Sequence, residues 1–311
     1  MKKQIAGLML AAFSLSTVFV SCKKDAKADV ATDTEATVQS DDETSFSNHV
    51  DALANDVNTS IEATGSLVTG KTTGTLCDAT VKFDSTATDR RITVTYDGTA
   101  TCHPAFTRTG KMIITIPFGV HWKDSGAVVT TTYDSIKITR VKDGKYFILN
   151  GSHTVTNVKG GLLRDLATLG SSIVHRIESS GMNITFDDGT MRTWQVAKKR
   201  EFNYSGGVVI STRGYHADGV RTDIAEWGTN RKGRLFTRAI TTPLVVREDC
   251  SYRLVSGATL HTNPAWNATV TYGLDSTGVA TSCPGTGSSY YCKIVWTSLL
   301  GGGTKTIMLA Y

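Results

Sequence analysis

The stretch Glu226-Trp227-Gly228-Thr229-Asn230-Arg231-Lys232-Gly233-Arg234 concentrates side chains suited to holding a polar ligand. An indole stacks on a flat ring, a carboxylate and an amide bracket hydroxyls, and guanidinium groups present paired donors. Trp227, Glu226, Asn230 and Arg231 are therefore candidate ligand-binding residues, with a sugar ring or another flat ligand against Trp227. The same stretch also reads as a hairpin, in which Trp227 packs inward and Asn and Gly form a solvated basic tip. Trp122, Trp194, Trp266 and Trp296 pose the same alternative: an exposed row would favour glycan binding, and buried ones would simply be core.

Other reactive side chains fall into no catalytic or metal-binding spacing. The seven histidines are scattered, none a helical turn from another, so none begins a metal site by itself. Cys102-His103 offers two zinc ligands only if the Cys102 thiol is not consumed in a disulfide. Neither a Gly-x-Ser-x-Gly elbow nor a phosphate-cradling Gly-x-x-x-x-Gly-Lys-Ser/Thr loop occurs. Asp124, Asp134, Glu178, Glu201, Glu226 and Glu248 are conceivable glycosidase carboxyls, but nothing selects a pair. No catalytic residue, metal or cofactor is assigned.

Cys22 is the residue with the clearest chemistry. Lys2 and Lys3 precede an apolar run from Ile5 to Val20, which ends Val18-Phe19-Val20-Ser21-Cys22. That run is too short and wrongly flanked for a spanning helix, and it has the layout of an export signal. Its end resembles the lipobox of bacterial lipoproteins, with Phe19 where leucine is usual. The resemblance implies that the cysteine thiol is acylated and the chain is cut just before it. Two or more acyl chains hold a protein on a membrane, where one binds only marginally. Residues 1–21 are thus a signal peptide and 22–44, polar and poor in aromatics, a flexible tether.

An exported chain meets an oxidising compartment, so the five cysteines beyond Cys22 are candidates for pairing. Cys77 and Cys102 bracket a strand pair, and closing that loop would contribute about 3–4 kcal/mol. Cys283 and Cys292 flank a turn-rich loop and would staple a hairpin, leaving Cys250 over; Cys250–Cys283 is the open alternative. The 311 residues are 40% hydrophobic, with a formal charge of +5. Removing Lys2 and Lys3 leaves 31 basic against 28 acidic residues, or +3. That mild surplus, with acids spread among bases, is no nucleic-acid footprint.

These groups need a scaffold, and the sequence specifies a mainly β one. Phe46, Val50, Leu53, Val57 and Ile61 fall at helical spacing, which predicts one N-terminal amphipathic helix over about 47–60. From Thr75 onward, Thr- and Val-rich segments alternate with period two. Examples are Ile92-Val94-Tyr96, Met112-Ile114-Ile116-Phe118 and Met182-Ile184-Phe186. Asp143-Gly144, Asp187-Asp188-Gly189 and Ser205-Gly206-Gly207 divide such segments as hairpin signals. Leu162, Leu166 and Leu169 suit a short helix. The expectation is a large curved antiparallel sheet or β-sandwich, one domain over 45–311.

Phe186-Asp187-Asp188-Gly189-Thr190, Arg192-Thr193-Trp194, Ala225 to Arg231, Thr241 to Val246 and Asp249-Cys250 resemble an uncharacterised family of β-rich Bacteroidetes lipoproteins. The resemblance implies the anchor and the antiparallel architecture, and it brings no activity. In that group an acidic run after the cysteine marks surface export; here Lys23, Lys24 and Lys27 favour the periplasmic side. The functional expectation is an outer-membrane-anchored, non-catalytic binding or structural module. Its partners would be the membrane, through acylated Cys22, and a glycan or apolar ligand. A second reading is a carrier of acyl chains or another apolar ligand, with a sizeable cavity beneath Met112 to Phe118. A third is a glycan-directed hydrolase.

Overall fold

Period-two alternation over successive segments demands an antiparallel sheet with one covered face. The computed structural model describes residues 49–61 except 51 and 55, and 76–311 except 87, 101–102, 282, 284–288 and 302. Fourteen strands join in one antiparallel sheet, not two. They are β1 (Ala79–Ser85), β2 (Asp89–Asp97), β3 (Phe106–Pro117), β4 (Ala127–Arg140), β5 (Tyr146–Asn157), β6 (Ile173–Phe186) and β7 (Met191–Tyr204). Then follow β8 (Val208–Gly214), β9 (Ile224–Thr229), β10 (Leu235–Arg247), β11 (Arg253–Thr262), β12 (Trp266–Leu274), β13 (Tyr291–Ser298) and β14 (Thr304–Ala310).

Neighbours follow chain order except at one place. β8 and β9 share a single slot between β7 and β10, end to end. β7 pairs β9 through Thr193–Val196 and β8 through Lys198–Tyr204, and β10 meets the same two strands from the other side.

Bulges interrupt the pairing of four successive strand pairs, β3·β4 to β6·β7, and each adds local bend and twist. Two glycines permit the close approach this needs. Gly110 has φ +105°, and a Cβ there would lie 2.2 Å from the Ser135 carbonyl oxygen. At Gly151, φ +119°, it would lie 2.6 Å from Met182 Cα. Only a residue without a Cβ fits either site.

The bent sheet wraps the N-terminal helix. Helix α1 covers the described residues from 49 to 61, and Phe46 lies outside them. Its stripe of Val50, Leu53, Val57 and Ile61 is buried in one cluster with Ile92, Val94, Met112, Ile114, Trp194 and Val196. Burying each such side chain contributes about 1.5–3 kcal/mol, so α1 is an integral part of the core. A second short helix, α2 (Leu166–Leu169), sets Leu166 against Ile173 and Phe202. The apolar row of β3 stops at Ile116: the strand ends at Pro117, and Phe118 is exposed at the following turn. No helix among the described residues is long and apolar enough to cross a membrane.

The cysteines correct one expectation. Cys250 is bonded to Cys283, with Cα atoms 5.3 Å apart, and buried Cys292 is a free thiol. The Cys283–Cys292 staple is therefore not formed. Cys292 sits within β13, paired across to Leu309, whereas a 3-10 turn after β10 (Glu248–Cys250) presents Cys250 to the Cys283 loop. Cys77 is disulfide-bonded, while Cys102, its expected partner, lies outside the described residues. So do Cys22 and residues 1–44, where the signal peptide and the tether are expected.

Candidate binding chamber beneath the helix

Strand alternation fixes which side chains face α1, and four polar ones stand on inward rows. Thr131 follows Ala127 and Val129 on β4, and His153 of β5 lies directly opposite it. His175 falls between Ile173 and Ile177 on β6, and Lys198 follows Trp194 and Val196 on β7. All four are buried. With Val57 and Ile61 of α1 and with Trp122, they line a chamber of about 50 Å³.

Some buried polar atoms here are left over. His153 Nδ1 lies 3.0 Å from the Tyr133 hydroxyl, but Thr131 Oγ1 and His175 Nε2 have no hydrogen-bond partner. Leaving such a buried group unmet costs about 1–3 kcal/mol. Burial first, then the nearby Arg200 cation, lowers the His175 pKa to about 4, so its imidazole is neutral at pH 7. A water needs roughly 10–15 Å³, and an organic ligand site spans about 300–1,000 Å³. The chamber thus admits a few waters or one small polar group while α1 is seated.

The charged residues lining it are Lys198 and Arg200, and no carboxylate is found among the described lining residues. Behind the wall, Glu226 Oε1 lies 2.5 Å from Lys198 Nζ and 3.2 Å from Arg238. Burial opposes ionisation of Glu226, but Lys198 and then Arg238 outweigh it and hold its pKa well below the usual carboxylate range. The triad carries one net positive charge.

A second buried cluster fastens α1. Arg108 donates two 2.7 Å bonds to Asp78 and one of 2.8 Å to Asp56 of α1. The Tyr96 hydroxyl donates to the same Asp56 oxygen at 2.8 Å, and the guanidinium stands 4.4 Å from the Tyr96 ring centre. Burial raises the Asp56 pKa even against Arg108. His103 lies 3.3 Å from Arg108, and His49 meets Phe106 edge-on at 4.6 Å. Burial, then Arg108 and His103, lower the His49 pKa to about 4.

Glu226, Trp227, Asn230 and Arg231 do not converge on one cleft. Glu226 and Trp227 are adjacent on β9 and face opposite sides; Trp227 stacks on His216 with ring centres 3.9 Å apart. Asn230 Oδ1 accepts bonds from the Lys232 and Arg234 backbone at 2.9 and 3.0 Å, closing the β9–β10 turn. Arg231 lies 3.3 Å over the Phe186 ring and 3.5 Å from Asp188. Trp122, Trp194, Trp266 and Trp296 are buried, and so form no exposed row. Asp249, Cys250 and Cys283 gather within 4.8 Å, but the disulfide consumes both thiols.

Thr131, His175 and Lys198 did carry a signal in the sequence. Each is a polar residue in register with an apolar row, where only a burial position is offered. No family model, curated protein or solved structure matches the chain. The chamber is accordingly interpreted from its own chemistry.

Proposed function

We propose that this chain is a lipid-anchored, non-catalytic binding module of the bacterial outer membrane, facing the periplasm, whose small polar ligand seats between α1 and strands β4–β7. The observation that carries the binding role is the chamber with two buried, unpartnered groups, Thr131 Oγ1 and His175 Nε2. A packing defect is apolar and dry, whereas buried polar groups left without a partner in the fold are the ones a water or small polar ligand would satisfy. The anchor rests on Cys22 at the end of the export signal, with the tether lifting the domain off the bilayer.

Metabolic labelling with palmitate tests the anchor: the wild-type chain takes up label, and Cys22→Ala takes up none and leaves the membrane fraction. Labelling of the variant would defeat the assignment. For the chamber, thermal shift is measured across small carboxylates and sugars with wild type and the Thr131→Val/His175→Phe double variant. Stabilisation of wild type alone is expected. Equal shifts, or none in either protein, would remove the chamber as the binding site.

A further inference from the structure

We infer that the end of the sheet from which α1 starts docks on a bilayer surface, and that its partner there is a leaflet rich in anionic phospholipid. That the leaflet is the one holding Cys22 rests on the proposed anchor; the docking surface itself is made of described residues.

Antiparallel order puts the β4–β5, β6–β7, β9–β10, β11–β12 and β13–β14 turns at one end of the sheet. Contacts between successive turns show them level. The Asp187 N–H donates to the Tyr146 carbonyl at 3.0 Å, Arg231 reaches Asp188 at 3.5 Å, and the Leu299 N–H donates to the Ala265 carbonyl at 2.8 Å. Pairing of Thr237 with Thr262 carries Leu235 alongside the β11–β12 turn. Along this row Val141, Met191, Leu235, Leu299 and Leu300 are each more than half exposed. Lys142, Lys145, Lys232, Arg234 and Lys305 are exposed among them. The acids at these turns are Asp143, paired with Arg140, Asp188, paired with Arg231, and Asp187. Apolar tips set among bases suit an anionic leaflet, the first entering the headgroup boundary and the second meeting lipid phosphates.

Two observations select this end. The chain enters α1 here: His49 meets Phe106 and Phe147, at the starts of β3 and β5, with ring centres 4.6 and 5.6 Å apart. Ile61 lies at the far end, sharing the chamber wall with Trp122 and Phe202. The 26 residues 23–48 therefore lead from Cys22 to this side. Fully extended they would span about 90 Å, enough to stand off the bilayer and to land on it. The opposite end also exposes Phe118, Leu169 and Val279. There, however, Asp124, Asp165, Glu248, Asp249 and Asp275 offset the bases, which an anionic leaflet disfavours.

The test uses residues 22–311 carrying Cys22→Ala, which keep every described residue and lack acyl chains. Co-sedimentation is measured with vesicles of phosphatidylglycerol and phosphatidylethanolamine, and with phosphatidylcholine alone, while far-UV circular dichroism reports the fold. This parent chain is expected to bind the anionic vesicles, less so as salt rises, and phosphatidylcholine about tenfold more weakly. Met191→Ser/Leu235→Ser/Leu300→Ser and Lys142→Glu/Lys232→Glu/Arg234→Glu should each lose about tenfold in affinity with the fold unchanged. Phe118→Ser/Leu169→Ser, at the opposite end, should bind as the parent does. No binding to anionic vesicles, undiminished binding by either folded tip variant, or a loss in the Phe118 and Leu169 variant would overturn the surface. If the native chain takes up palmitate but the surface fails, the anchor stands alone. Tip-dependent binding without palmitate label would keep the surface and remove the anchor.

Discussion

Glu226 looked like a ligand group because it stands beside Trp227, yet on a strand adjacent residues face apart. Its work is to pair with Lys198 and Arg238 inside the sheet. Glu226→Gln would remove the buried carboxylate that Lys198 and Arg238 share, and a loss of about 3–5 kcal/mol is expected from denaturant midpoints. Its folded pKa lies below its ordinary value of 4.5. The stabilisation is thus complete above about that pH and is lost as pH falls further, so the variant should show a flatter stability profile in acid. His175 acts in a neighbouring window. Its folded pKa of about 4 lies below the unfolded 6.5. Its contribution is present above 6.5 and declines as pH falls toward 4, a decline that His175→Phe should diminish in pH-resolved thermal unfolding. Thr131→Val removes an unmet hydroxyl at nearly constant volume, and a melting temperature equal to or above wild type is expected without ligand.

At the scale of elements, α1 and the bulged strands depend on each other. The helix supplies the apolar stripe that fills the bend, and the bend exists because Gly110 and Gly151 let strands approach. Gly110→Val would drive a side chain into the Ser135 carbonyl at a positive φ; a loss above about 4 kcal/mol, or failure to accumulate as soluble protein, is expected. Asp56→Ala should act locally. Hydrogen exchange would rise in the peptide covering residues 49–61, while β3–β7 amides keep their protection. Exchange rising equally everywhere would show that α1 has no independent opening.

At the scale of the whole molecule, the described strands form one sheet whose end strands are β1 and β14. The Cys250–Cys283 bridge closes a separation of 33 residues and ties the end of β10 to the loop before β13. On the chain-entropy model that is worth about 3–4 kcal/mol. Cys250→Ser/Cys283→Ser should lower the denaturation midpoint accordingly, and a reductant should reproduce part of the loss in wild type. Peptide mapping after alkylation checks the pairing, with label expected on Cys292.

The β class, the N-terminal helix and most hairpin turns were legible in the order of residues, because apolar periods of two and of 3.6 residues are local properties. Ile92-Val94-Tyr96 declares its buried face without help from the rest of the chain, and Asp187-Asp188-Gly189 declares its turn. The chamber was not legible. Thr131, His175 and Lys198 come from three strands, and only register brings them together under α1. Asp56 and Arg108 lie 52 positions apart. The choice between Cys250 and Cys292 as the partner of Cys283 likewise fell to the placement of a 3-10 turn. Sequence by itself determined the elements, since these depend on short-range pattern, and from the same kind of pattern it raised the expectation of an export signal ending at Cys22. Tertiary structure alone decided which polar groups are buried together, because pairing of distant strands sets those distances.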